Sequence, residues 1–203
     1  MNYIEINGIK IELNEVQKKQ LAESFAFDCK QKRLADYSKS EVAKIGAHEF
    51  IVLEQEGDKT HLLLKGLLSE STEFGTNNNY DGSDVDKICN DFAVELITAI
   101  GEENVLPFTV DLTANDGLKC YGTVERRTAL LTAKQYRKYV YIIDEHKLDK
   151  WWWLATPFST PKHNDSEYAL CVSPFGIIYY NGYDFNSGVR PFCILKSDIF
   201  VSE

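Results

Sequence analysis

Trp151-Trp152-Trp153-Leu154-Ala155-Thr156-Pro157 opens the stretch that decides the architecture, and Gly188-Val189-Arg190-Pro191-Phe192 closes it. All three tryptophans of the chain stand in that first run. Between the two ends lie short apolar bursts, Tyr168 to Ser173, Ile177 to Asn181 and Val189 to Lys196, parted by Gly, Pro and Asn. This is the pattern of packed strands joined by turns, with Pro174-Phe175-Gly176 as one of the turns. Successive strand residues face opposite sides, so Trp152 should oppose Trp151 and Trp153, and at least one face is core. Trp152 and Trp153 are therefore expected to be structural. Arg190 sits in the last apolar strand. A buried guanidinium needs an anionic or carbonyl partner. The first expectation is a structural ion pair with an acid from residues 70–116.

Upstream, the helix signals are local. Ser83 is placed to cap a helix with Asp84 and Asp86 in its first turn, where carboxylates favour the dipole. Val85, Ile88, Cys89, Phe92, Leu96 and Ile100 form one apolar stripe, and Gly101 ends it. Asp84, Asp91, Glu95 and Glu102 fall on the opposite face. Thr132 and Gln135 form a capping box for a second helix that buries Tyr136, Tyr139, Val140 and Ile143. His48 to Gln55 and Thr60 to Lys65 read as a hairpin turning at Glu56-Gly57-Asp58-Lys59. Their unbroken apolar runs predict strands buried on both faces. Val105 to Leu112 is a further extended segment, followed by a loop turning at Asn115-Asp116-Gly117.

The first 40 residues predict an appendage. Ile4, Ile6, Ile9 and Ile11 alternate around Asn7-Gly8, a hairpin signal. Asn14 and Gln17 cap a helix carrying Leu21, Phe25 and Cys29. Ser38 to Ser40 reads as a linker, giving residues 1–40 as a hairpin–helix appendage and 41–203 as an α+β domain with a Trp-rich antiparallel sheet.

The chain has 203 residues and a net charge of −9, and one segment accounts for the imbalance. From Glu70 to Asp116 eleven acids stand against Lys87 alone, leaving the remainder at +1. Such a segment argues against direct nucleic-acid binding and suits a basic partner. No apolar run reaches the ~20 residues of a bilayer span, and the N-terminus lacks a signal-peptide pattern. Five cysteines without a C-x-x-C predict reduced thiols in a bacterial cytoplasm.

The closing region resembles an uncharacterised family of clostridial bacteria and their phages called DUF6273. The resemblance rests on Trp152-Trp153-Leu154-Ala155-Thr156-Pro157, Ser173-Pro174-Phe175-Gly176 and Gly188-Val189-Arg190-Pro191. Upstream blocks also look alike: Phe74-Gly75 with Asn77-Asn78-Asn79-Tyr80, Asp111-Leu112-Thr113 with Asp116-Gly117-Leu118, and Leu130-Leu131-Thr132 with Tyr136-Arg137-Lys138-Tyr139. It covers roughly residues 45 to 200 and implies a phage or mobile-element origin, a cytoplasmic home and no established activity. More distantly the Trp-rich and Gly-x-Arg strands look C-type-lectin-like, a fold that binds through the loops between its last strands. Here those loops are Ser159 to Glu167 and Tyr179 to Ser187. Tyr179, Tyr180, Tyr183, Asp184 and Asn186 are their candidate ligand contacts, a palette suited to recognition.

No chemistry-bearing motif stands out. Asn77-x-Asn79-x-Asp81-Gly82 is a fragment of a calcium loop with Ile88 where a bidentate Glu is required, so it reads as a polar turn. Cys171 and Cys193, expected on adjacent strands, read as buried inert thiols. His48, His61, His146 and His163 lack ligand spacing. No catalytic residue, metal site or cofactor is assigned. The expected function is non-enzymatic: a phage or mobile-element protein binding a host protein through the acidic face. Its sharper form is an inhibitor of a host defence nuclease. The alternative is a lectin-like module binding a glycan or small ligand through the C-terminal aromatic loops.

Overall fold

The computed structural model describes residues 3–6, 9–12, 14, 16–20 and 31–202, and these form a mixed α+β fold. β1 (Tyr3–Ile6) pairs antiparallel with β2 (Ile9–Glu12), Tyr3 opposite Glu12. Asn14 and Gln17 cap α1 (residues 16–20) reciprocally. Gln17 N–H donates to Asn14 Oδ1 at 2.8 Å, and Asn14 N–H to Gln17 Oε1 at 3.0 Å. The turn residues Asn7-Gly8 and the stripe Leu21, Phe25, Cys29 lie outside the described residues.

The largest sheet is built on β5 (His48–Glu56) and β6 (Lys59–Leu64). β16 (Pro191–Lys196) flanks β6, and β11 (Thr128–Leu130) and β8 (Val105–Leu106) follow one another along β16's far edge. On the other side come β4 (Val42–Ile45), β17 (Phe200–Ser202) and β3 (Gln31–Arg33). β3 pairs Arg33 with Phe200, and Leu34 and Tyr37 are core residues. The main sheet thus recruits the chain from Gln31 onward, ahead of residue 40. Ser40 is a pinned turn, its N–H donating to Val52 O at 2.8 Å.

Alternation in β5 and β6 explains why both runs are apolar throughout. Phe50, Val52, Leu62 and Leu64 face one core, shared with Phe92 and Leu96 of α2 (Asp84–Ile100). Ile51, Leu53 and Leu63 face a second, shared with Tyr136, Tyr139 and Ile143 of α3 (Ala133–Glu145). Each fully buried side chain of this size contributes roughly 1.5–3 kcal/mol.

A five-stranded sheet covers the second core. Its order is β14 (Ile178–Gly182), β13 (Tyr168–Val172), β12 (Trp152–Pro157), β15 (Ser187–Val189) and β7 (Ser69–Thr72). Trp152 and Leu154 enter the second core; Trp153 and Ala155 enter a third, beneath Val85 and Cys89 of α2, with Trp151 packed at its margin. The tryptophans alternate as a strand requires. β9 (Phe108–Asp111) and β10 (Thr123–Arg126) form a separate hairpin. Pro107, which has no N–H to donate, separates β8 from β9.

Three expectations need correction. Val189 to Lys196 is not one strand: β15 belongs to the small sheet and β16 to the large one, with Arg190 at the crossing. Arg190 is fully buried and is not ion-paired to an acid of residues 70–116. Its Nε donates to Leu64 O at 2.9 Å, and its Nη2 to Lys65 O at 3.0 Å and His146 O at 3.3 Å, while the guanidinium lies 5.3 Å from the Trp152 ring. Carbonyl dipoles left over where the strand changes sheets take the place of a carboxylate. Finally, Cys171 and Cys193 are not on adjacent strands, because that same crossing puts β13 and β16 in different sheets.

Candidate functional site

α2 organises the acidic segment. Ser83 caps it, accepting from Asp86 N–H at 3.2 Å, and Gly101 ends it at φ 89°. The loop before it is anchored from within. Asn78 is buried, its Nδ2 donating to Ser159 O at 3.1 Å and Tyr168 O at 2.9 Å, and its Oδ1 accepting from Tyr121 at 2.7 Å. Asn79 N–H donates to Asn77 Oδ1 at 2.8 Å, and Asp81 accepts from Arg126 at 2.6 Å. The loop's polar side chains serve the turn. No cluster of three or more metal-ligating side chains occurs among the described residues.

Asp86 is not a solvated carboxylate at the helix start. It is buried and paired bidentately with Arg126, and it also accepts from Gly82 N–H at 2.9 Å. The Asp86 carboxylate raises the Arg126 pKa well above its ordinary range. One member of the acidic segment is thereby removed from the surface.

The outer face of α2 carries three of the four carboxylates expected on it, for Asp84, Asp91 and Glu95 are exposed on the helix, whereas Glu102, also exposed, stands in the 3-10 turn Glu102–Asn104 beyond the Gly101 stop. Asp84 pairs with Lys87 at 2.8 Å, Glu95 with His48 at 2.7 Å, and Glu102 with Arg127 at 2.8 Å. Asp91 has no ion pair with a described residue. Exposed pairs of this kind are worth about 0–1 kcal/mol, so an incoming cation can displace them. Between Asp91 and Glu95 stands Val94, 62% exposed. It lines a groove of about 620 Å³ with Asn90, Ala93, Ile97, Pro107, Glu125, Arg126 and Arg127. Sequence reading missed both Val94 and the groove. Val94 breaks the polar face of the helix, a signal visible in the sequence. The groove needs β10 brought alongside.

Tyr179 and Tyr180 lie on β14, not in a loop; Tyr183, Asp184 and Asn186 follow it. β14 is the edge of its sheet. Tyr180 packs on Phe158 at 4.5 Å and Tyr168 at 5.5 Å, and stacks with Tyr179 at 5.9 Å and 17°. Tyr179 also meets Trp151 at 5.9 Å. Asn186 Oδ1 accepts from Ser71 at 3.2 Å.

Two Ser–His–acid groupings occur among the described residues, and neither is built to activate a hydroxyl. Ser40 Oγ is 3.1 Å from His146 Nε2, with φ 71° at Ser40 and Glu145 accepting from the same hydroxyl. That Nε2 is also 2.9 Å from Ser40 O, which can only accept. The nitrogen is therefore protonated and cannot serve as a base toward Ser40. In the second grouping Ser159 donates to Asp116 Oδ2 at 2.6 Å and His163 Nδ1 meets the same oxygen at 3.0 Å. The Ser159 hydroxyl holds the Asp116 carboxyl below its usual range, which makes that carboxylate a weak base toward the hydroxyl. Cys89 and Cys171 are buried, with pKa values pushed up to about 12, so both are thiols at neutral pH.

No protein-family model, no curated protein and no solved structure matches the chain. No helix of the described residues is long and apolar enough to cross a membrane.

Proposed function

We propose that this chain is a non-enzymatic interaction protein of a phage or mobile element. In this reading it binds a basic host protein through the outer face of α2 and the groove beside it. The observation that carries the reading is Val94, exposed between Asp91 and Glu95 at the rim of the groove. The exposed carboxylates of Asp91 and Glu95 would steer a cationic partner to this face, and Val94 beside them offers an apolar anchor, while the groove itself carries Glu125, Arg126 and Arg127. The sharper form is occupation of a nuclease's basic nucleic-acid channel. Glycan binding by Tyr179 and Tyr180 is less well served, because Tyr180 is packed by Phe158 and Tyr168 and the two half-exposed rings stack on each other.

The test is retention of host proteins on the immobilised chain at low and high salt, with identification by mass spectrometry. The expected outcome is one basic protein, released by salt. It should be lost from the Asp84→Asn/Asp91→Asn/Glu95→Gln variant and weakened at least about tenfold by Val94→Ser, a loss of roughly 1.4 kcal/mol. Retention unchanged in both variants, or no protein retained at either salt, would sink the reading.

A further inference from the structure

β14 presents an open edge whose hydrogen-bonding pattern can be worked out. Ser173 N–H donates to Ile177 O at 2.9 Å, and Tyr183 N–H to Glu167 O at 2.7 Å, bracketing the strand. The register between them sets Val172 opposite Ile178, Leu170 opposite Tyr180 and Tyr168 opposite Gly182. Bonded pairs alternate in an antiparallel ladder, so Tyr179 and Asn181 bond to β13. The N–H and C=O groups of Ile178 and Tyr180 and the N–H of Gly182 point outward, and no described strand pairs with them; the Gly182 C=O is held in the following turn, accepting from Phe185 N–H at 2.9 Å.

An edge of this kind is ordinarily guarded by charge, proline or a covering element. From Tyr168 to Tyr183 there is no charged residue, and the one proline, Pro174, is in the turn. Large apolar side chains are exposed along it instead: Phe175, at 79%, Ile177, Tyr179, Tyr180 and Phe185.

We propose that a second copy of this chain adds its own β14 to this edge, antiparallel, about a two-fold axis at Tyr180. That axis sets Tyr180 against Tyr180 of the second copy in a reciprocal bonded pair, and Ile178 against Gly182. It also sets Ile177 against Tyr183 and Tyr179 against Asn181, with the exposed Phe175 and Phe185 in the turns at the two ends of the strand. The exposed apolar residues thus match one another about a single point, the self-complementarity an isologous contact demands. Charge agrees with the same occupant. Two chains of net charge −9 approach most easily through an uncharged surface. The stacked rings of Tyr179 and Tyr180 part to opposite faces as the strand is added. The two small sheets become one continuous sheet, and the α2 face takes no part in the contact.

Sedimentation equilibrium of the full chain, from low to several hundred micromolar, tests this directly. The expected result is a monomer–dimer equilibrium insensitive to salt. Amide exchange should slow at Ile178, Tyr180 and Gly182 as concentration rises. Tyr180→Ala keeps the outward N–H, whereas Tyr180→Pro removes it without touching the ladder to β13. The proline variant should dimerise at least about tenfold more weakly than the alanine variant, or roughly 1.4 kcal/mol. Phe175→Lys, at an exposed turn position, should abolish the dimer even if the proline variant fails to fold. A chain that stays monomeric throughout, or a dimer whose protection maps away from β14, overturns the proposal. The Asp84→Asn/Asp91→Asn/Glu95→Gln variant should dimerise normally, which separates this contact from the one proposed for α2.

Discussion

Arg126 and Asp86 meet as a fork, Nε to Oδ1 at 2.8 Å and Nη2 to Oδ2 at 2.7 Å, with Asp86 only 1% exposed. The pair ties the end of β10 to the first turn of α2 and, through Asp81, to the loop before the helix. It is the least exposed ion pair among the described residues, its side chains 17% and 2% exposed.

Arg126→Ala should therefore cost about 3–5 kcal/mol, the usual penalty for leaving one member of a buried pair alone. Arg126→Lys should fall between the two, because an ammonium keeps the charge but not the two-pronged contact. Urea unfolding of the three proteins checks the order. Equal midpoints would show that the fork does not stabilise the native state.

Alkaline pH should unfold the protein through its buried acids. Burial raises Cys89 and Cys171 from 9.0 to about 12 and Tyr139 from 10.0 to about 12. In each case the folded state holds the proton more tightly than the unfolded one. Their contribution is complete below pH 9.0, declines above it, and is lost through about 12. Arg190 acts in the opposite sense. Burial depresses its pKa to about 10, so it favours folding as pH rises above that value. The expected result is a fall in urea midpoint starting near pH 9, less steep in Cys171→Ala. A flat midpoint up to pH 10 would contradict the burial of these groups.

Thr132→Ala should lower stability by about 1 kcal/mol. Thr132 Oγ1 accepts from Gln135 N–H at 3.2 Å, and Gln135 Oε1 accepts from Thr132 N–H at 2.9 Å, the two halves of the box that starts α3. Thr132→Ser keeps the acceptor and should be nearly neutral. A thermal melt of the two variants side by side is sufficient.

Thiol labelling of the native protein should modify Cys120, which is exposed, and spare Cys89, Cys171 and Cys193 until urea is added. Peptide mapping after a short pulse of reagent reads this site by site. Rapid native labelling at Cys193 would mean that the large sheet opens locally.

Features carried by a few adjacent residues were legible before the fold was known. The Ser83 and Thr132 caps, the Gly101 stop, the hairpin from His48 to Leu64 and the alternation of the tryptophans all appear where the sequence places them. Of the candidate surfaces, the α2 stripe was legible because its spacing is helical. The aromatic one was only half legible. Its residues were identifiable, but Tyr179 and Tyr180 stand on an edge strand, and a strand's position within a sheet is not written in its own residues.

The sequence by itself determined the local choices made within a few residues, the caps, the Gly101 stop and the strand alternation, but not that Val189 to Lys196 is two strands or that Asp86 is buried. Tertiary structure alone decided the partners. Arg190 meets the carbonyls of Leu64, Lys65 and His146, and Asp86 meets Arg126, 40 residues away. The reason is physical. Caps and periodicity are satisfied within a few residues of backbone. A buried charge is satisfied by whatever polar group the folded chain brings within about 3 Å, and several candidates of equal merit exist until the sheets are assembled.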